Sequence, residues 1–190
     1  MSFRAPIALH PTTADLAIAR GAAQIARPAE ERVLRVITWL ADEKVVLAGT
    51  TLLWLWAHAD SRERGLPRRA DHMLLCVVAA GIVPHLFKHV VRRRRPDRTM
   101  ARGLRRGIPR SGNAWDSFPS GHAVHLGAIA RSLALLAPPR WRPLVWPGIA
   151  ALAASRVLLL AHYASDVVAG LLMGLALDAV LEKTIGLPHK

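Results

Sequence analysis

Long apolar runs alternate with short polar segments along most of this chain. Five runs are predicted to be helices that cross a membrane, and they cover residues 45–59, 73–91, 121–136, 144–162 and 164–180. Each approaches the roughly 20 residues that a helix needs to cross about 30 Å of hydrocarbon. The connections between the last three runs are very short, so we expect those helices to be neighbours. Gly170 and Gly174, four residues apart in the last run, predict close helix packing.

Residues 12–42 are alanine-rich and amphipathic, with arginines spaced among leucines and isoleucines. They are too polar to cross a membrane, so they predict helices that lie on its surface or pack on other helices. The sequence therefore predicts an all-α protein, a polytopic membrane bundle of about five crossing helices preceded by amphipathic surface helices. We expect one domain over 1–190, with 1–42 as the amphipathic region and 43–190 as the membrane core.

Composition favours a membrane protein over a nucleic-acid-binding one. The chain has 190 residues, of which 52% are hydrophobic, yet its formal net charge is +13. Basic charge alone is typical of nucleic-acid binders, but such proteins do not need several long apolar runs. A single cysteine, Cys76, excludes an intramolecular disulfide framework. We expect the lipid bilayer as a partner and no nucleic acid, and the sequence leaves the oligomeric state open.

Polar residues gather at three of the predicted helix ends. The first cluster is the segment 88–96, in which Lys88 and Arg95 lie two helical turns apart. The second cluster is the segment 119–122, whose sequence is Pro-Ser-Gly-His. It stands at a helix start, where free N–H groups suit an anion, and Ser120 is expected to cap the helix.

The third cluster lies between residues 155 and 166. Arg156 stands in an apolar run, where an unpaired charge is costly and indicates a functional role. His162 and Asp166 are four residues apart, so we expect the carboxylate to accept a hydrogen bond from the imidazole. That contact would fix the tautomer of the histidine and raise the basicity of its other nitrogen.

All three clusters fall on the same side of the membrane when the crossings are counted. Three cations, two histidines, one carboxylate and a helix N-terminus would therefore meet at one rim. Phosphoryl transfer depends mainly on positioning and on neutralising negative charge. The sequence therefore predicts a phosphate site that contains a nucleophile and an acid.

These residues resemble the type 2 phosphatidic acid phosphatase superfamily, which includes membrane lipid phosphatases, glucose-6-phosphatase and vanadium haloperoxidases. Its signature is K-x6-R-P, then P-S-G-H, then S-R-x5-H-x3-D, and residues 88–166 keep every spacing. The resemblance implies an integral-membrane phosphatase acting on a lipid phosphate or a polyprenyl diphosphate. It also implies a phosphohistidine intermediate, no metal and no other cofactor.

The resemblance implies a role for each matching residue. His162 would attack phosphorus, and Asp166 would orient it. His122 would protonate the leaving oxygen and later activate water. The phosphoryl oxygens would be held by the other matching residues, which are Lys88, Arg95, Ser120, Gly121 and Arg156.

The residues leave other classes of function open. A metal-dependent membrane hydrolase could use His122, His125 and His162, although the neighbouring cations would repel a divalent ion. A non-enzymatic basic lipid-binding protein would explain the arginines but not the pairing of His162 with Asp166. A soluble haloperoxidase would share the site residues, but such enzymes are larger and are not built from membrane-crossing helices.

Cations outside the signature are given other roles. Arg92, Arg93 and Arg94 are predicted to contact lipid headgroups, to contact residues of the site, or to be solvated. In the following loop, water and lipid contacts are predicted for Arg102, Arg105 and Arg106. Arg131, within the third apolar run, is predicted to pair with another helix, and His85 and His125 are predicted to be satisfied core histidines.

We expect a multi-pass protein of the inner (plasma) membrane, but two arguments about its orientation conflict. The segment 88–116 carries ten lysines and arginines, which favours the cytoplasmic side. Many members of the family present this site to the periplasm, and several of these cations have a catalytic reason to be there. We favour the periplasmic face.

The family commonly has six crossing helices, and the first is expected to be missing here.

Overall fold

The computed structural model describes residues 7–25, 28–59, 65–96 and 114–185. Their helices are α1 Thr13–Ile25, α2 Pro28–Trp39, α3 Glu43–Ala59, α4 Leu66–Val90, α5 Gly121–Leu136, α6 Arg142–Leu158 and α7 Ala164–Ile185. Two short strands are β1 Ile7–Ala8 and β2 Val91–Arg92. The loop arginines Arg102, Arg105 and Arg106 lie outside the described residues.

The prediction of a mainly helical protein is confirmed, but the N-terminal segment contributes a strand that the sequence did not predict. β1 pairs in parallel with β2, so that Ile7 lies opposite Val91 and Ala8 opposite Arg92. The Leu9 N–H donates to the Arg92 carbonyl oxygen at 2.9 Å. This pairing ties the N-terminal segment to the chain directly after α4, within the first polar cluster.

Within the described ranges, two helices are long and apolar enough to cross a membrane. They are α4, with 25 residues and a mean hydropathy of 1.7, and α7, with 22 residues and 1.8. The helices α3, α5 and α6 have 16 or 17 residues, roughly 25 Å of helix, so the predicted count of five crossings is not confirmed. Large apolar side chains are exposed on α3, α4 and α7, as they are on lipid-facing surfaces; examples are Leu52, Ile82, Leu86 and Leu172.

The structure moves the ends of two predicted helices. α4 begins at Leu66, well before the predicted start at Met73. α6 ends at Leu158, before the predicted end at His162, because the chain turns through Leu160 with a φ of 53°. His162 therefore lies in the loop between α6 and α7 rather than on a helix.

Close packing of α5 on α7 requires glycines, as the sequence predicted. A Cβ atom on Gly174 would lie 2.6 Å from the Ala128 nitrogen, and one on Gly170 would lie 2.7 Å from the Ser120 carbonyl oxygen. These neighbours are backbone atoms, which cannot move aside as a flexible side chain can. The contact holds the start of α5, and with it the second polar cluster, against the start of α7.

One face of the helix α1 packs against the rest of the protein, and its opposite face is exposed. Its residues Ala19 and Ala22 are buried against Leu160 and Tyr163 of the loop that joins α6 to α7. Small side chains let the two segments approach closely, and Ile18 and Ile25 remain exposed. The amphipathic N-terminal region thus contacts the loop that carries His162.

We expect Gly174→Ala to lower the midpoint of thermal unfolding, because the added methyl group would collide with the backbone of α5. Gly148 in α6 is the matched control, since a Cβ atom there meets nothing within 4 Å. Alanine favours a helix over glycine by about 1 kcal/mol, so Gly148→Ala should keep or raise the midpoint. Equal midpoints for the two variants in the same detergent would contradict the packing described here.

Candidate active site

A cavity of about 480 Å3 opens where α2, α4 and α6 end and where α3 and α5 begin. Six of the eight residues predicted for the site line it, and they are Lys88, Arg95, Gly121, His122, Arg156 and His162. The other two, Ser120 and Asp166, are fully buried. The structure brings the three polar clusters together around one space.

The protonation of His162 follows from its hydrogen bond. Its Nδ1 lies 2.7 Å from the Ser117 carbonyl oxygen, and a carbonyl oxygen can only accept. Nδ1 therefore carries the proton, and Nε2 keeps its lone pair. Nε2 lies 3.4 Å from the Arg95 guanidinium, beside the cavity.

Burial lowers the pKa of His162 well below its usual value of 6.5, and the positive charges of Arg95 and Arg156 lower it further. The imidazole of His162 is therefore neutral at pH 7. A neutral imidazole with an available Nε2 is the form that can act as a nucleophile.

Asp166 does not make the contact with His162 that the sequence predicted. Its Oδ2 lies 4.0 Å from the His162 Nδ1 and instead accepts hydrogen bonds from the Ser117 hydroxyl at 2.5 Å and the Tyr163 N–H at 2.9 Å. The prediction allowed for a tight junction between two helices, and α7 does begin at Ala164, but the imidazole N–H of His162 is directed to the Ser117 carbonyl oxygen instead. Ser117 thus links the two groups: its carbonyl oxygen accepts from His162 and its hydroxyl donates to Asp166.

Of the roles predicted for Arg93, the structure supports contact with a site residue and not contact with headgroups or water. Its side chain is 2% exposed and pairs with two carboxylates, Asp166 through Nη1 and Asp15 through Nη2 at 2.6 Å. Its Nη1 also donates to the Ser165 hydroxyl at 2.7 Å, and the guanidinium lies 4.8 Å from the centre of the Tyr163 ring. Arg93 is therefore the buried cation that fixes Asp166 in place.

Asp15 brings α1 into the same network. Its carboxylate accepts hydrogen bonds from the Ser165 N–H at 3.0 Å and hydroxyl at 2.7 Å. Burial alone would raise the pKa of Asp15, but the hydrogen bonds from Ser165 and Thr12 and the Arg93 guanidinium lower it well below its usual value. Asp15 is consequently ionised at neutral pH and remains a partner for Arg93.

The cavity is rich in positive charge. Arg156 is almost fully buried; its Nη1 donates to the Thr38 hydroxyl at 3.2 Å, and its Nε has no hydrogen-bond partner among the described residues. Arg95 donates to the Ala161 carbonyl oxygen at 2.9 Å, which aims its guanidinium at the loop of His162. With Lys88, these cations suit an anion and disfavour the divalent ion of a metal hydrolase.

The Ser120 side chain does not cap α5, contrary to the prediction. It makes no capping hydrogen bond, and within the described part of the chain its buried hydroxyl has no partner. Its backbone N–H instead donates to the Asp166 carbonyl oxygen at 3.2 Å, which joins the starts of α5 and α7. An unsatisfied buried hydroxyl costs about 1–3 kcal/mol, so this position suits a ligand that supplies an acceptor.

An apolar groove of about 400 Å3 adjoins the charged cavity. The two spaces share Glu43, Gly81, His85 and His125. The rest of the groove is lined by side chains of α3 and α4, which are Leu47, Val77, Val78, Ile82 and Leu86. The charged cavity and the apolar groove are thus continuous.

A model of the PAP2 superfamily matches residues 70–185, which include all three polar clusters. The chain belongs to the PAP2 superfamily. The resemblance drawn from the three motifs is thereby confirmed, and the PAP2 match extends beyond them to the end of α7.

Two relatives in sequence are phosphatases by name. The chain is 39% identical over 109 residues to the lipid A 1-phosphatase of Rhizobium johnstonii, covering 54% of this chain and 42% of that protein. It is 33% identical over 124 residues to the decaprenylphosphoryl-5-phosphoribose phosphatase of Mycobacterium tuberculosis, covering 64% and 66%. The chain thus spans less than half the length of the lipid A phosphatase that it matches.

Solved PAP2 structures share the fold. The PAP2-type phosphatidylglycerolphosphate phosphatase of Bacillus subtilis superposes with a TM-score of 0.67 at 21% identity, over 90% of this chain and 84% of that one. LpxE of Aquifex aeolicus superposes with a TM-score of 0.68 at 16% identity, over 93% and 99%. The helical arrangement is therefore that of PAP2 membrane phosphatases.

Two smaller predictions have different outcomes. Arg131 does find a helix partner, because its guanidinium pairs with Glu182 of α7 and lies 3.7 Å from Asp178.

His125 is not a satisfied core histidine: its buried Nδ1 has no hydrogen-bond partner in the part of the chain described here. It lines both the charged cavity and the apolar groove, which makes it part of the site's wall.

Sequence reasoning missed Asp15 and Ser117 and did not distinguish Arg93 from its neighbours, although Asp15 and Arg93 carry a signal. Thr12 and Asp15 form a capping box, since each side chain accepts from the other's N–H at 3.1 Å. Arg93 lies in extended backbone, where alternate side chains face opposite ways, so Arg92 and Arg94 are exposed while Arg93 is buried. Nothing in the sequence singles out Ser117, whose role depends on its carbonyl oxygen.

We expect Arg93→Ala to destabilise the protein by about 3–5 kcal/mol, because it would leave two buried carboxylates without their cation. Arg94 is the matched control: its exposed guanidinium lies 6.0 Å from the Trp115 ring centre, and Arg94→Ala should change stability little. Unfolding of both variants in the same detergent measures the difference. A similar small effect for both would mean that Arg93 does not hold the network together.

Proposed function

We propose that this chain is an integral-membrane phosphatase that hydrolyses a lipid phosphate or diphosphate through a phosphohistidine on His162. The observation that carries the proposal is the state of His162, which is neutral, with Nδ1 bonded to the Ser117 carbonyl oxygen and Nε2 beside a cation-lined cavity. The names of the relatives, both of them phosphatases of phosphorylated lipids or lipid-linked sugars, support the same reaction.

The proposed reaction has two steps. The Nε2 lone pair of His162 attacks phosphorus while the bond from phosphorus to the leaving oxygen breaks, and His122 gives that oxygen a proton. His122 then takes a proton from water, whose oxygen attacks phosphorus and breaks the N–P bond to release phosphate. The negative charge of the bound phosphate favours a protonated His122 among the surrounding cations.

Five groups are proposed to hold the phosphoryl oxygens. They are the side chains of Lys88, Arg95, Arg156 and Ser120 and the backbone N–H of Gly121 at the N-terminus of α5. The unpaired Nε of Arg156 and the unpaired hydroxyl of Ser120 support this assignment, because a phosphate would supply the acceptor that each lacks. Asp166 is proposed to orient His162 through Ser117 rather than by direct contact.

The apolar groove between α3 and α4 supports a lipid substrate. It continues from the phosphate cavity and opens among side chains that suit an acyl or polyprenyl tail. The relatives' substrates share a phosphate linked to a lipid or to a lipid-linked sugar, so we propose that chemical class, with polyprenyl diphosphates included.

We also propose a single membrane domain over residues 1–190, with five crossings by α3 to α7 and with α1 and α2 on the rim that carries the site. In this arrangement the protein lies in the inner membrane and the phosphate cavity faces the periplasm. The exposed apolar faces of α3, α4 and α7 support the crossings, and the catalytic use of Lys88, Arg95 and Arg156 weakens the argument that basic charge places this rim in the cytoplasm.

The function is tested by phosphate release from a panel of lipid phosphates and diphosphates by the purified protein. We expect turnover on at least one of them, and a loss of about 10²-fold or more in Arg95→Ala and in Arg156→Ala, the scale of one lost transition-state charge contact. The control Arg94→Ala should retain turnover, because that side chain is exposed. Equal losses in all three variants would mean a uniformly basic surface rather than a phosphate site.

We expect turnover to survive treatment with EDTA, because Lys88, Arg95 and Arg156 supply the positive charge that a catalytic metal would otherwise provide. Vanadate should inhibit, since it can mimic five-coordinate phosphorus bound to His162. Phosphate release with and without each reagent measures both effects. Turnover that is lost on chelation and returns on adding one divalent ion to the folded protein would favour a metal hydrolase instead.

A further inference from the structure

We propose that His72, Cys76 and Asp178 form a structural zinc site that joins α4 to α7 away from the phosphate cavity. A helix rises about 1.5 Å per residue, so His72 lies about 24 Å along α4 from Lys88. By the same measure Asp178 lies about 18 Å along α7 from Asp166. The proposal rests on the geometry and chemistry of these three residues and does not depend on the proposed function.

The three side chains present ligand atoms at the separations that a zinc ion requires. Zinc bonds of about 2.0–2.1 Å to nitrogen or oxygen and 2.3 Å to sulfur, at tetrahedral angles, put neighbouring ligand atoms about 3.4–3.6 Å apart. The His72 Nε2 lies 3.6 Å from the Cys76 Sγ and 3.7 Å from the Asp178 Oδ1. All three ligand atoms lie within 4.8 Å of one another.

Hydrogen bonding accounts for only part of this arrangement: the Cys76 Sγ lies within hydrogen-bond distance of both ring nitrogens of His72, but one carboxylate oxygen is left unsatisfied. The Asp178 Oδ1 is buried and, among the described residues, accepts no hydrogen bond. The His72 Nε2 has a contact of 3.3 Å with the Asp178 carbonyl oxygen, at the long end of hydrogen-bond distances. A buried carboxylate oxygen without a donor is costly, and a metal ion would satisfy it.

The charged side chains around these three residues are compatible with a bound divalent ion. The other carboxylate oxygen of Asp178, Oδ2, faces Arg131 at 3.7 Å, so that Oδ1 is the oxygen turned towards His72. Arg131 is in turn paired with Glu182, which offsets its charge. The Cys76 thiolate and the Asp178 carboxylate would neutralise the two charges of the ion.

A fourth ligand can come from water. A cavity of about 20 Å3 lies beside His72 and is also lined by Arg131 and Ser132. About 10–15 Å3 is enough for one water molecule where polar groups surround it. Three protein ligands and one water complete a tetrahedral site.

Thiolate, imidazole and carboxylate together select zinc rather than calcium or magnesium, which prefer oxygen ligands alone. His72 and Cys76 are four residues apart on α4, so they share one helix face, and Asp178 reaches them from α7. All three residues are at most 2% exposed, which closes the site to solvent. The ion would therefore hold two membrane helices together and take no part in the reaction.

The metal content of protein purified without a polyhistidine tag tests the proposal. We expect about one zinc per chain in the wild type, and its loss in His72→Ala and in the nearly isosteric Cys76→Ser. The matched control is His58→Ala, which removes an exposed histidine 3.4 Å from Asp71 near the same end of the bundle and should keep the zinc. A wild type without zinc, or zinc retained in His72→Ala and Cys76→Ser, would overturn the proposal.

Cobalt gives a second readout that does not depend on activity. After replacement of zinc by Co2+, we expect the visible bands of a tetrahedral site and a near-ultraviolet thiolate-to-cobalt band that Cys76→Ser lacks. Protein that takes up no Co2+, or a wild-type protein that binds Co2+ without a thiolate-to-cobalt band, would contradict the assigned ligands. A third readout separates stability from activity. Zinc-free Cys76→Ser should unfold at a lower temperature than the wild type, yet it should release phosphate normally while it is folded. Lost turnover in the folded variant would contradict a structural ion.

Discussion

The buried guanidinium of Arg93 holds together segments that are far apart in the chain. It pairs with Asp15 on α1 and with Asp166 on α7, and its own backbone continues from β2 after α4. Two carboxylates with one cation would be unstable in a buried site unless hydrogen bonds satisfied the remaining oxygens, and Ser117 and Ser165 supply them. The loop that presents His162 is thus fixed from three directions, and the N-terminal region becomes part of the site.

The positive charges near the site fall into two groups, one in this network and one in the phosphate cavity. Arg93 is neutralised by protein carboxylates, whereas Lys88, Arg95 and Arg156 line a cavity, and the Nε of Arg156 has no hydrogen-bond partner among the described residues. Like charges gathered without an anion cost stability, and a bound phosphate removes that cost. Burial first, and then the same positive charges, lower the pKa of His162 and keep its imidazole neutral.

Local sequence patterns predicted the helices and most of the site residues, whereas the features that the sequence did not predict depend on tertiary contacts. The apolar runs predicted helices that exist, and the motif spacings identified six residues that line one cavity. The relation of His162 to Asp166 was misjudged because the loop after α6, which ends at Leu158, directs the imidazole N–H of His162 to the Ser117 carbonyl oxygen, a partner that four-residue spacing does not reveal. Asp15 could not be placed from sequence, since its partners lie 78 and 150 residues away along the chain.

Identification of the phosphorylated residue is the most direct test of the account. The purified protein would be mixed with a lipid phosphate labelled at phosphorus, quenched within one turnover, and digested for mass spectrometry. The account predicts one acid-labile, base-stable phosphoryl group on His162 and no label in His162→Ala. Label on His122, or label that persists in folded His162→Ala, would contradict it.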